Sequence, residues 1–190
     1  LIGYISFFFV FLISGIALLK ERTSGTLDRL LATPVKRSEI IFGYTISYGL
    51  LAIIQTIVIT LSAIYLLNIE VAGSLVYVII VNMLLALGAL ALGMLLSTAA
   101  KSEFQVMQFI PLVIIPQMFF TGIVPVESMG KVAVYISKVL PVTYSGDGLS
   151  KIILEGKNLL DIKGDIIALT IFFVVLITLN IIGLKRYRKV

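Results

Sequence analysis

Residues 71–99 contain no Asp, Glu, Lys or Arg. A hydrocarbon layer of roughly 30 Å asks about 20 consecutive apolar residues of a spanning helix, and this run exceeds that. Residues 1–19, 40–67, 104–121 and 165–184 have the same character, with one charge, Asp165, at the edge of the last. Five spans are therefore expected. They are apolar all round, as lipid-embedded helices are, whereas a membrane barrel would show alternating segments of about ten residues. Of the 190 residues, 59% are hydrophobic and 13% charged, and mean hydropathy is +1.13. A soluble domain of this size could not bury so much apolar surface. The expectation is an all-α membrane protein, one transmembrane domain over residues 1–190.

Lys and Arg in short connections orient such a chain, because they are retained on the cytosolic side. Residues 20–39 hold five (Lys20, Arg22, Arg29, Lys36, Arg37), the next inner link holds Lys101, and the terminal "KRYRKV" holds four. The link at residues 68–70 holds none. Alternation then places Leu1 outside, and residues 20–39, Lys101 and the C-terminus in the cytosol. The longer segment 122–164, with its five lysines balanced by acids, falls outside. A multi-pass protein of the plasma membrane is expected. The chain begins at Leu1, directly in an apolar run without the basic start of a signal peptide, and is read as the C-terminal part of a longer protein.

Residues 20–39 carry eight charges between two apolar runs. At roughly 2.5–3.5 kcal/mol for each charge at mid-bilayer, burying them would cost on the order of 20 kcal/mol, so this segment does not cross. Within it Leu27, Leu30 and Leu31 stand at i, i+3 and i+4, one face of a short helix over residues 26–33. Asp28 lies in its first turn, where the helix dipole favours an anion. Gly25 offers a hinge before it, and Pro34 disfavours helical geometry at Thr33 and ends it. Two turns are too few to stand alone in water, so something must pack on them. The residues leave two readings open: a connector lying on lipid headgroups, or a contact ridge for a cytosolic protein.

The run "ERTSGTLDRLLATPVKRSEIIFGY" resembles the permeases of type 2 ABC transporters, in which E-x-x-x-G-T-L-x-x-L-L-x-x-P follows the second span. Glu21, Gly25, Thr26, Leu27, Leu30, Leu31 and Pro34 match it. A second stretch is similar to the segment before that family's last span, where F-F-[ST]-G precedes a short helix and then L-P-x-T-Y-x-x-D-x-L. Phe119, Phe120, Thr121, Gly122, Leu140, Pro141, Thr143, Tyr144, Asp147 and Leu149 carry that match. The chain departs from the family in having Gly43-Tyr44 where Gly-Lys is common, and in lacking Trp. The resemblance implies that the family's first span is missing here. It implies that residues 20–39 form a coupling helix seated in a cytosolic ATP-binding subunit, with a second permease copy completing a dimer.

The outer segment 122–164 is too long for an ordinary connector. Val132, Val134, Tyr135, Ile136 and Val139 form a marginally amphipathic stretch closed by Leu140-Pro141, and a second short helix is expected from Thr143 through Leu149, Ile152 and Ile153. A re-entrant hairpin of two half-membrane helices dipping back into the outer leaflet is expected before the last span, with a hairpin lying on the membrane as the alternative. By resemblance this element caps the outer end of the path, with Phe119, Phe120, Gly122, Pro141, Tyr144 and Asp147 as its gate residues.

Other chemistry is poorly supplied. The sequence has no Cys and no His, which removes thiolate sites, the commonest metal ligand and the usual near-neutral proton carrier. No Gly-x-x-x-x-Gly-Lys-Ser/Thr loop cradles a phosphate, so ATP would be used by the partner subunit and no cofactor by this chain. Gln55, Asn82, Gln108, Gln117 and Asn180 are the polar groups near mid-membrane, and no charge sits deep in a span, against the habit of ion-driven carriers. An intramembrane enzyme lacks its nucleophile and base, and nothing points to nucleic acid. The leading expectation is a permease subunit of an ATP-driven exporter; a passive channel or ion-driven carrier is the alternative. Ala89, Gly93 and Ser97 form a small-xxx-small pattern that lets helices approach closely, within one subunit or between two. Pro111 and Pro116 invite a kink in the fourth span.

Overall fold

The computed structural model describes residues 1–100, 102–122 and 126–184. Lys101 and the basic tail, two of the three groups of charges expected on the inner side, lie outside the described residues. The described chain is helical, with no strand among the described residues. Helix α1 spans Ile2–Thr23, α2 Thr26–Leu31, α3 Arg37–Leu66, α4 Leu75–Ala99 and α5 Glu103–Phe119. A 3-10 turn at Val126–Met129 leads into α6, Lys131–Ser137, then α7, Pro141–Glu155, and α8, Lys163–Gly183.

By length and composition α1, α3, α4 and α8 are long and apolar enough to cross a membrane. The fourth expected span forms α5, whose 17 residues make a helix of about 25 Å, shorter than those four. It runs through Pro111 and Pro116 as one helix, opened by Ser102, whose Oγ accepts the Gln105 N–H at 3.3 Å.

Several boundaries differ from the sequence expectation: α2 ends at Leu31 rather than 33, α3 starts at Arg37 rather than 40, and α4 starts at Leu75 rather than 71. Two further differences have a clear local cause. Helix α1 continues through Lys20, Glu21 and Arg22 instead of ending where charge begins. Cations in a last helical turn complement the dipole, so polarity alone does not stop the helix. It stops at Gly25, whose φ of 74° is left-handed and whose N–H donates to Arg22 O at 3.1 Å, an ending that glycine reaches without strain. At the other site, Pro141 opens α7 rather than closing the stretch before it. Its fixed φ and missing N–H suit the first helical position.

Helix α4 is the hub, packing on α1, α3, α7 and α8. Val81, Leu85, Ala89, Leu90 and Met94 are fully enclosed. The small-residue stripe serves this packing inside one chain: a Cβ at Gly93 would stand 2.6 Å from Phe11 O and 3.0 Å from Gly15 N of α1. Two of the mid-membrane amides tie helices together. Asn82 Nδ2 donates to Thr60 Oγ1 of α3 at 3.0 Å, and Asn180 Nδ2 of α8 donates to Ala91 O of α4 at 2.8 Å. Gln117 is buried, while Gln108 is exposed.

Candidate functional site

The motif residues gather at opposite ends of the helix bundle. At one end α2 follows α1 after the Gly25 turn. Its leucine face is turned inward: Leu27 is 2% exposed and belongs to the chain's own core, with Leu30 and Leu31 half-buried against it. Within this chain the ridge is therefore covered mainly by the chain's own helices. Leu27, buried, gains about 1.5–3 kcal/mol by leaving water, Leu30 and Leu31 gain less, and the chain's own spans are the nearest apolar surface. What α2 presents outward is Thr26, Asp28 and Arg29, continued by Thr33, Pro34 and Val35. Glu21, half-buried, sits in the last turn of α1.

Arg22 anchors the same corner. Its guanidinium donates to Ser97 O and, at 2.8 Å, to Ala100 O. Both are terminal carbonyls of α4, which lack partners within the helix, and a cation is favoured there. On the far side of α2, Lys36 precedes α3, and Glu39 Oε2 accepts its N–H at 2.9 Å. The segment is therefore held at both ends.

At the opposite end, a cavity of about 500 Å³ opens between the α5 terminus, α6, α7 and the start of α8. Phe120, Gly122, Tyr144 and Asp147 all line it, so four of the six expected gate residues meet. Pro141 faces a neighbouring apolar cleft with Gln117 and Phe172. Phe119 is 60% exposed and does not join them. Gly122 has φ 84°, a left-handed turn that ends the Phe-Phe-Thr-Gly stretch. Gly146 lies directly on that turn, where a Cβ would come within 2.7 Å of Thr121 O. The two halves of the second motif are thus in backbone contact. Tyr144 Oη donates to Lys138 O at 2.8 Å, spanning the bend between α6 and α7.

The charges here form a chain. Lys151 Nζ donates to Asp147 Oδ2 at 2.6 Å, one turn back on α7, and to Asp165 Oδ2 at 3.3 Å, in the first turn of α8. Asp165 is buried, so Lys151 supplies the countercharge that such a carboxylate needs. The hydrogen bond to Asp147, then the charge of Asp165, hold the Lys151 pKa above the ordinary lysine value against the opposing effect of burial. Halfway between the two ends lies a third feature, an apolar cleft of about 280 Å³ between α1, α3 and α4, with Ser14, Tyr48 and Gln55 as its polar points.

The sequence profile described as ABC-2 type transporter matches residues 1–154. This chain belongs to the ABC-2 type transporter family. Its relatives include ABC transporter G family member 20 of Dictyostelium discoideum, 31% identical over 82% of this chain and 21% of that protein. The probable multidrug ABC transporter permease YbhS of Escherichia coli K12 is 24% identical over 76% of this chain and 39% of its own length. The linearmycin resistance permease protein LnrN of Bacillus subtilis is 28% identical over 77% of this chain and 38% of its own. The ABC-2 chain therefore spans well under half the length of these relatives. No solved structure matches it.

Three residues of this ABC-2 chain were not singled out from the sequence. Lys151 could have been, because Asp147 stands four residues before it, a spacing that pairs on a helix. Asp165 and Arg22 gave no such signal. Their partners lie 14 and 78 residues away along the chain, and only the packing of α7 on α8 and of α1 on α4 brings them together.

Proposed function

We propose that this chain is the permease part of an ATP-driven exporter, crossing the plasma membrane five times with its C-terminus cytosolic. A separate ATP-binding subunit would hydrolyse ATP and push on the segment around α2, and a second permease copy would complete the path. One observation carries the coupling reading: α2 is fixed into the helix bundle by Leu27 while Arg22, beside it, holds the end of α4. A load applied to α2 therefore passes directly into α1 and α4. The partner surface is assigned to the outward residues Thr26, Asp28, Arg29, Thr33 and Pro34, with Glu21 and Gly25 shaping the corner and Leu27, Leu30 and Leu31 holding it to the spans.

At the other end, α6 and α7 are assigned as the re-entrant pair that caps the path, with Phe120, Gly122, Tyr144 and Asp147 around the outer cavity. Support comes from α7, which buries Val142, Leu149 and Ile152 against α1, α4 and α8. Such backbone is tolerated at membrane depth only when covered by protein. The names of the bacterial relatives favour drug-like cargo. The cleft holding Ser14, Tyr48 and Gln55, mostly apolar with few polar points, suits a cargo with an apolar body.

The test substitutes outward residues, since a charge at Leu27 would break the core itself. In the full-length permease, Asp28→Lys with Arg29→Glu should abolish co-purification of the ATP-binding subunit and leave the thermal midpoint unchanged. Undiminished co-purification would remove the coupling assignment.

A further inference from the structure

Beside α2 lies a cleft of about 450 Å³ that shares Thr33 and Pro34 with the partner surface assigned above, and whose basic side the coupling reading leaves unused. Its apolar side is formed by Leu31, Val35 and Ile181, and its polar side by Lys36, Arg37 and Ser38. We propose that this cleft binds an anionic phospholipid of the inner leaflet, with the phosphate between Lys36 and Arg37 and the acyl chains descending along α8.

Three features support this. Lys36 and Arg37 form no ion pair among the described residues, the nearby Glu39 carboxylate being turned to the Lys36 backbone N–H, where it keeps its charge. Arg37 and Ser38 open α3, so their N–H groups have no acceptor within the helix and add a fixed positive pole that favours phosphate. Ile181 lies at the end of α8, whose neighbours Leu179 and Ile182 are exposed on the surface assigned to lipid. The apolar side of the cleft therefore continues into the hydrocarbon, which a free phosphate would not use and a lipid would. Basic pockets at this depth recognise anionic headgroups, each Lys or Arg adding about 1 kcal/mol. The inference rests on the inner placement of residues 20–39, and because Thr33 and Pro34 also belong to the assigned partner surface the experiment includes the docked subunit.

The experiment takes the full-length permease, stripped of lipid in neutral detergent, and counts bound ligand by native mass spectrometry. Phosphatidylglycerol, phosphatidylcholine and glycerol 3-phosphate are the three probes. Phosphatidylglycerol should bind more tightly than either of the others. Lys36→Gln with Arg37→Gln should weaken it about thirty-fold, the factor expected for two lost basic contacts, while Lys157→Gln at the other end changes nothing. Wild-type affinity should also fall as salt rises, because screening weakens exposed charge pairs; this readout survives if the double variant fails to fold. Equal binding of phosphatidylcholine, or an unaffected double variant, overturns the proposal. Glycerol 3-phosphate binding as tightly as the lipid would make the cleft a soluble-phosphate site. Loss of bound phosphatidylglycerol when the ATP-binding subunit docks would assign the cleft to that interface instead. Either of these last results also overturns the lipid.

Discussion

Gly93 has no room for a side chain. A Cβ there meets the backbone of α1 at Phe11 and Gly15, and backbone cannot swing aside as a flexible side chain can. Gly93→Ala should destabilise the protein by about 1–3 kcal/mol, the usual cost of overpacking, seen as a lower thermal midpoint in detergent. Gly43→Ala, in α3 with nothing within 4 Å, should not lower the midpoint and should raise it slightly, since Ala is the better helix former. The spacing of Ala89, Gly93 and Ser97 identified this stripe as a packing surface but could not say against what. Leu27 teaches the same lesson from the other side. Its periodicity marks an apolar face correctly, yet periodicity cannot tell whether a partner or the chain itself covers that face.

Among the elements, α7 is tied to its neighbour by charge. Lys151 joins it to α8 through Asp165, and its pKa is raised by Asp147 and Asp165. A lysine whose folded pKa is raised contributes stability that is fully present below the ordinary lysine value of about 10.4. That contribution disappears as pH rises through the higher folded value. Hydrogen exchange in α7 should therefore be pH-independent, beyond the intrinsic rate, across the neutral range, and Lys151→Met should raise it there. The two proteins should converge only when pH passes the raised lysine value; convergence already at neutral pH would show that the bridge does not hold α7. The helices themselves were legible because long uncharged runs leave a membrane chain no other regular structure than helix or barrel. Their ends were less so. Helix α1 passes its expected boundary through Arg22, and α7 starts at Pro141, because caps and local hydrogen bonds, not hydropathy, terminate helices.

Across the whole molecule the two motif clusters occupy opposite ends, and this permits a direct test of orientation. The chain contains no Cys, so one introduced thiol reports one place. With the other Cys of the full-length protein removed, Thr33→Cys should react with a membrane-impermeant maleimide only from the cytosolic side, and Lys157→Cys only from outside. The reverse pattern would invert the assigned topology. Composition and charge placement were enough to establish a helical membrane chain and to locate its polar corner, because the cost of charge in hydrocarbon is large and depends on residue type alone. They could not establish which helix lies at the centre, that Arg22 reaches the end of α4, or that the two halves of the second motif touch at Gly146 and Thr121. Those depend on the order in which uniformly apolar helices pack. Helices that are greasy on every side carry no record of their neighbours, so only the tertiary structure decides it.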